Sequence, residues 1–117
     1  MACEEAGLRT MPRTLYRVMS DAEYRDLRRT NRFRRGPNSF QDGKWFAESL
    51  ADARAWGRQF EAFDGIPYHS IVSVRVSNSM YERQHRQIQL DGVGPAVFLS
   101  HLTLNTLKYV VEESADD

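Results

Sequence analysis

The 117 residues suit one ordinary domain, too short for a two-domain enzyme, and 41% hydrophobic with 27% charged residues is a globular composition. No apolar run approaches a membrane span, no secretory signal is visible in residues 1–13, and a lone Cys3 excludes an intramolecular disulfide. The expectation is therefore a soluble chain in a reducing, cytoplasmic setting. The formal net charge is zero, yet residues 1–58 carry 12 Lys and Arg against 8 Asp and Glu, and residues 59–117 carry 4 against 8.

Residues 1–13 read as a flexible tail. Thr14 to Met19 alternates as a short strand, with Leu15, Arg17 and Met19 on one face and Tyr16 and Val18 on the other. Ser20-Asp21-Ala22-Glu23 is a capping box, the Ser hydroxyl serving the N3 amide and Glu23 reaching back, so a helix is predicted from Asp21 to about Arg29 with Tyr24 and Leu27 inward. Arg25, Arg28, Arg29, Arg32, Arg34 and Arg35 concentrate positive charge here. That density suits phosphates of a dinucleotide or nucleic acid, or simply a solvated face. Thr30 to Asp42, centred on Gly36-Pro37-Asn38-Ser39, reads as a loop long enough to fold over a neighbouring pocket.

Lys44 to Ala47 reads as a strand, and Ser49 with Asp52 at N3 starts a second helix ending near Phe60 or Ala62, its buried stripe Ala53, Trp56, Phe60 and Phe63. Ser70 to Val76 is the clearest strand, with Val72, Val74 and Val76 on one face. Ser77 to Leu90 is polar and ambiguous, Asp91-Gly92-Val93-Gly94-Pro95 is a turn cluster, and Ala96–Ser100 and Leu107–Glu112 are predicted strands, able to pair as a hairpin through His101–Asn105. Strands outnumber helices and the longer ones come late. That order predicts a single α+β domain over residues 14–113, with a mixed or antiparallel sheet and two helices, followed by a fraying acidic tail at 114–117.

Phosphate loops, G-x-G-x-x-G, metal-type Cys/His spacing, H-E-x-x-H and G-x-S-x-G are all missing, and His69, His85 and His101 are scattered. What remains is a set of elements able to converge. Arg17 carries a planar fork suited to phosphate or ribose, or to a surface ion pair; Trp45 and Phe46 carry rings able to stack on a flat ligand or pack in a core; Ser49 is an N-cap that can also touch ligand. Asp91 suits a turn.

In their order these elements resemble the catalytic core of the ADP-ribosyltransferase fold: Tyr16-Arg17 on a first strand, then Gly43-Lys44-Trp45-Phe46-Ala47-Glu48-Ser49 leading into an Ala-rich helix, then a Val-rich strand ending Asn78-Ser79-Met80-Tyr81-Glu82. The block at Gly43 resembles the Gly-Lys-aromatic-aromatic-Phe-Ala segment of the poly(ADP-ribose) polymerase class, and Thr106-Leu107-Lys108-Tyr109 its closing strand. The same block is similar to that of the small rifamycin-modifying transferases, and Leu90 to Ala96 resembles the end of such domains in bacterial polymorphic toxins.

The resemblance implies NAD bound in a cleft between two small sheets, with Arg17 on the phosphate or ribose side, Trp45 stacked on nicotinamide, and Tyr16, Phe46 and Ser49 nearby. It implies cleavage of the nicotinamide–ribose bond through an oxocarbenium-like transition state, which needs a carboxylate. Where the polymerase class has its catalytic Glu this chain has Ala96, so Asp91 is the nearest replacement and Glu82 the second. The leading expectation is a mono-ADP-ribosyltransferase acting on a protein, nucleic-acid or small-molecule acceptor, with no metal and no membrane. A non-catalytic NAD-sensing or protein-binding member of the fold and an Arg-rich nucleic-acid-binding domain are the alternatives.

Overall fold

Alternation along the chain is what builds the sheet. In a computed structural model that describes residues 12–36 and 41–114, β1 (Pro12–Met19) buries Leu15 and Met19 on one face and Val18 on the other. It begins two residues before the predicted start. Residues 1–11 of the predicted tail, residues 37–40 of the predicted loop, and residues 115–117 lie outside the described residues.

Helix α1 (Asp21–Thr30) starts as expected, the Ser20 hydroxyl accepting the Glu23 amide at 3.2 Å. It ends where Asn31 takes a left-handed conformation (φ 58°) and donates its amide to the Leu27 carbonyl. The chain beyond it is pinned rather than loose: Phe33 is buried, and its amide and carbonyl are both held by the Asn105 side chain at 2.9 and 3.0 Å. Strand β2 (Gly43–Ala47) follows, then α2 (Leu50–Asp64), capped by Ser49 on the Asp52 amide and stopped by Gly65 in the left-handed region. Ala53, Trp56 and partly buried Phe60 face the sheet, but Phe63 is 90% exposed because the last turn has run past the buried surface.

Strand β3 (Ser70–Ser77) leads into a short helix, α3 (Asn78–Glu82), capped by Ser77, and then β4 (His85–Leu90), β5 (Gly94–Ser100), a second short helix, α4 (His101–Leu104), and β6 (Tyr109–Glu113). The predicted hairpin of the last two strands is corrected. The Ser100 hydroxyl accepts the Thr103 amide and turns the chain into α4, and β6 pairs with β3 at the far edge of the sheet. The hairpin is β4–β5, through Asp91 and Gly92 with φ of 55° and 74°, closed by the Val93 amide on the Leu90 carbonyl. Two consecutive positive-φ residues make a type I′ turn, whose twist matches that of the strands.

Where the resemblance implies two small sheets and the sequence predicts two helices, the described residues form one six-stranded antiparallel sheet in the order β4-β5-β2-β1-β3-β6, with four helices. Its pairing is uneven. β1 pairs with β3 over eight residue pairs and β2 with β5 over five, whereas β1 and β2 meet only at Tyr16↔Ala47. Beyond that pair the end of β1 and the start of β2 are not paired with each other. Gly43 is required at the start of β2, because a Cβ there would lie 2.2 Å from the Leu99 carbonyl oxygen.

Two cores result. Leu15, Phe46, Val72, Val74 and Leu99 pack under α1, Phe33 and α4, while Val18, Ile71 and Ala96 pack with Ala53 and Trp56 of α2. Each fully buried large apolar side chain contributes about 1.5–3 kcal/mol. No helix among the described residues is long and apolar enough to cross a membrane.

Candidate functional site

Where β1 and β2 are unpaired, side chains take over. The Arg17 Nη1 donates to the Trp45 carbonyl of β2 at 3.0 Å, while Nε and Nη2 grip the two oxygens of Glu23 at 2.6 and 2.7 Å. The Lys44 ammonium stands 3.6 Å from the same carboxylate. Half of the predicted capping box forms, the Ser20 hydroxyl on the Glu23 amide, while the Glu23 carboxylate is turned to Arg17 and, among the described residues, takes no hydrogen bond from the Ser20 amide. The pair is nearly shielded, with side-chain exposures of 21% and 23%.

Burial acts to lower Arg17, but Glu23 outweighs it and the guanidinium is held above its ordinary value. Burial acts to raise Glu23, and the charges and hydrogen bonds of Arg17 and then Lys44 pull it below its ordinary value. Lys44 is lowered, by burial first, with Arg17 adding to the effect and Glu23 opposing it. Two cations share one carboxylate, so the cluster keeps an excess positive charge.

This cluster is the wall between two lobes of a cleft, both lined by Arg17, Ser20 and Glu23. One lobe is basic, about 460 Å³, with Lys44, Arg34, Arg35, Asp26, Gln41 and the Gly43 backbone. Asp26 accepts from Arg34 at 3.0 Å and from Arg29, and Arg35 pairs with Asp42. The other lobe is aromatic, about 190 Å³, walled by Trp45, Trp56, Phe60 and Tyr68, with Asp91 also lining it. Its rings are held in place. Trp56 donates its indole N–H to the Leu90 carbonyl at 3.3 Å, Phe60 and Tyr68 lie 5.4 Å apart, and Trp45 meets Phe98 and His85 edge-on at 5.3 and 5.6 Å. Burial, then the Asp64 carboxylate, raises the Tyr68 phenol.

Of the residues singled out from sequence, Arg17, Trp45 and Asp91 line this one lobe, brought there from β1, β2 and the β4–β5 turn. Gln59 of α2 fixes the turn by donating to the Asp91 carbonyl at 3.3 Å. The others stand elsewhere. Phe46 is wholly buried in the α1-side core with no face open to a ligand, Ser49 is spent on the Asp52 amide, and Tyr16 packs at the edge of the α2-side core. Glu82 is exposed at the end of α3 and lines neither lobe.

Arg25, Arg28, Arg29 and Arg32 are exposed and outside the cleft; Arg34 and Arg35 line it. His101 is lowered by burial and then by Lys44, and its Nε2 is buried without a hydrogen bond. Sequence reasoning missed Glu23, Trp56, Phe60 and Tyr68 as site residues. The first carried the signal of a helix cap, and Trp56 and Phe60 that of a helix's core stripe.

Among the described residues no group of three His, Cys, Asp or Glu side chains converges as a metal site. Comparison with protein-family models, with curated proteins and with solved structures finds no match to this chain.

Proposed function

We propose that the two-lobed cleft binds NAD and that the domain is a mono-ADP-ribosyltransferase, cleaving the nicotinamide–ribose bond and passing ADP-ribose to an acceptor. One observation carries this reading: Arg17, Trp45 and Asp91, from three separate segments, line a single small aromatic lobe that adjoins a basic one. The dimensions fit. A lobe of about 190 Å³ walled by four rings suits a flat heterocycle, and about 460 Å³ with Lys44, Arg34 and Arg35 suits a nucleoside diphosphate.

Bound NAD supplies an ADP-ribosyl group already activated by a cationic leaving group. Trp45 and Trp56 wall off solvent from the flat ring. Asp91, exposed at the rim of the lobe with no salt bridge among the described residues, orients a ribose hydroxyl and stabilises developing positive charge. Ala96 supports a carboxylate from elsewhere, since it is fully buried between β2 and β4 beneath the α2-side core, where a Glu would have no room. The lone Tyr16↔Ala47 pair supports the finer reading of the sheet as two small sheets meeting at the cleft, as the resemblance implies.

A second reading, a non-catalytic NAD-sensing or protein-binding module of this fold, draws support from Arg17. Its guanidinium is already held by Glu23 and the Trp45 carbonyl. Nicotinamide release from NAD separates the two. Asp91→Asn is the variant of choice, because Asn tolerates the left-handed backbone at φ 55°. The transferase reading expects release by the wild type and a loss of about 10²-fold in the variant. NAD binding without release by either protein establishes the second reading, and binding that ignores NAD but collapses with salt establishes a nucleic-acid ligand for the exposed arginines.

A further inference from the structure

The geometry around Glu23 points to an anion site that the chain fills with its own carboxylate. We propose that Arg17 and Lys44 form a receptor for a phosphate-class oxyanion, and that Glu23 occupies it as an internal plug which the ligand displaces.

Three observations carry this. The Arg17 fork presents two parallel N–H groups to the Glu23 oxygens at 2.6 and 2.7 Å, the bidentate geometry that serves carboxylate and phosphate alike. Lys44, only 8% exposed, lines the basic lobe and has its one ion pair among the described residues at 3.6 Å, about 1 Å longer than the contacts Arg17 makes to the same carboxylate. The carboxylate is also placed where a ligand would have to pass: Glu23 lines both lobes, standing in the wall between them, and belongs to the first turn of α1 while both cations belong to the sheet. A phosphate carries more charge and more acceptor oxygens than a carboxylate. It can answer both cations with short contacts at once, whereas Glu23 meets Arg17 at 2.6 and 2.7 Å but Lys44 only at 3.6 Å.

The natural ligand, a dinucleotide's diphosphate, rests on the function proposed above; the site itself does not. The competing explanation is a structural ion pair that merely fastens α1 to the sheet. Titration of inorganic pyrophosphate, at constant ionic strength, into wild type, Glu23→Gln and Glu23→Gln with Lys44→Met separates the two, read by the rise in melting temperature and by calorimetry.

The plug predicts at least tenfold tighter pyrophosphate binding by Glu23→Gln than by wild type, abolished when Lys44 is also replaced. Equal responses in wild type and Glu23→Gln, or a response that survives the loss of Lys44, would overturn it. Should Glu23→Gln fail to fold, Glu23→Asp, whose shorter side chain draws the carboxylate back from the Arg17 fork, is held to the same outcomes. NAD in place of pyrophosphate keeps the two proposals apart. Pyrophosphate binding without NAD binding in Glu23→Gln sustains the plug and removes the nucleotide reading, and NAD binding with no gain in pyrophosphate affinity does the reverse.

Discussion

Trp45 and Phe46 are consecutive, both large and aromatic, and the pleat of β2 sends them to opposite faces with opposite outcomes. Phe46 is fully buried, with the Phe33 ring edge-on at 6.2 Å and α1 and α4 over the same core. Trp45 stays partly exposed, touching Phe98 and His85 and lining the aromatic lobe. The difference lies in what each face has to cover it. An α-helix is about 10 Å across and strands stand about 4.8 Å apart, so one helix covers roughly two strands. The Phe46 face receives α1, the pinned Phe33 segment, α3 and α4, whereas the Trp45 face receives α2 alone, packed mainly on β1 and β2. The uncovered margin beside α2 becomes the aromatic lobe of the cleft, while the basic lobe, with Lys44 and α1, opens on the Phe46 side.

The largest effect expected from breaking this comparison is on stability. Phe46→Ala should cost about 3–5 kcal/mol, and Trp45→Ala about 1–2 kcal/mol because its ring is only partly buried. Urea melts of the two variants measure this, and equal losses would mean that the two faces are equally closed.

A smaller effect tests the charged wall between the lobes. Glu23 is held below its ordinary value of 4.5, so the stability it contributes is fully present above that pH and is lost as pH falls through the folded value. Lys44 has the opposite consequence: lowered from 10.5, its buried charge costs stability at neutral pH, a cost relieved as pH rises toward that value. The wild type should exceed Glu23→Gln by about 1–3 kcal/mol at pH 7, less than for a fully buried pair, and the gap should narrow below pH 4.5. Melts from pH 7 to pH 3 check it. A constant gap would mean that the loss is one of packing rather than charge.

The sequence makes some of these features plain and hides others for physical reasons. Ser20 and Ser49 announce α1 and α2, because a cap is local chemistry, and the valines of β3 announce a strand buried on its core side. β4 left no such mark. As an edge strand with five of its six residues exposed, it has no buried face to impose an alternating pattern. The pairing of β5 and β6 with different partners is equally silent in the sequence, since both were visible as strands but the sheet order is set by long-range contacts.

For the site, the residue types at Arg17, Trp45 and Asp91 suggested ligand chemistry, yet their nearness depends on β1, β2 and the β4–β5 turn being brought together. Glu23 was readable only as a cap. Its partner Arg17 lies six residues away on a different element, and no local rule joins them.

The most direct measurement of the central claim, that the open margin of the sheet is a nucleotide cleft with Trp45 as its platform, is calorimetric titration of NAD into the wild type and Trp45→Ala, both first shown to be folded. The account predicts saturable binding by the wild type, weakened about tenfold or more by loss of the ring, since stacking on an aromatic is worth about 1–3 kcal/mol. No binding to the wild type, or equal binding to both proteins, would contradict it.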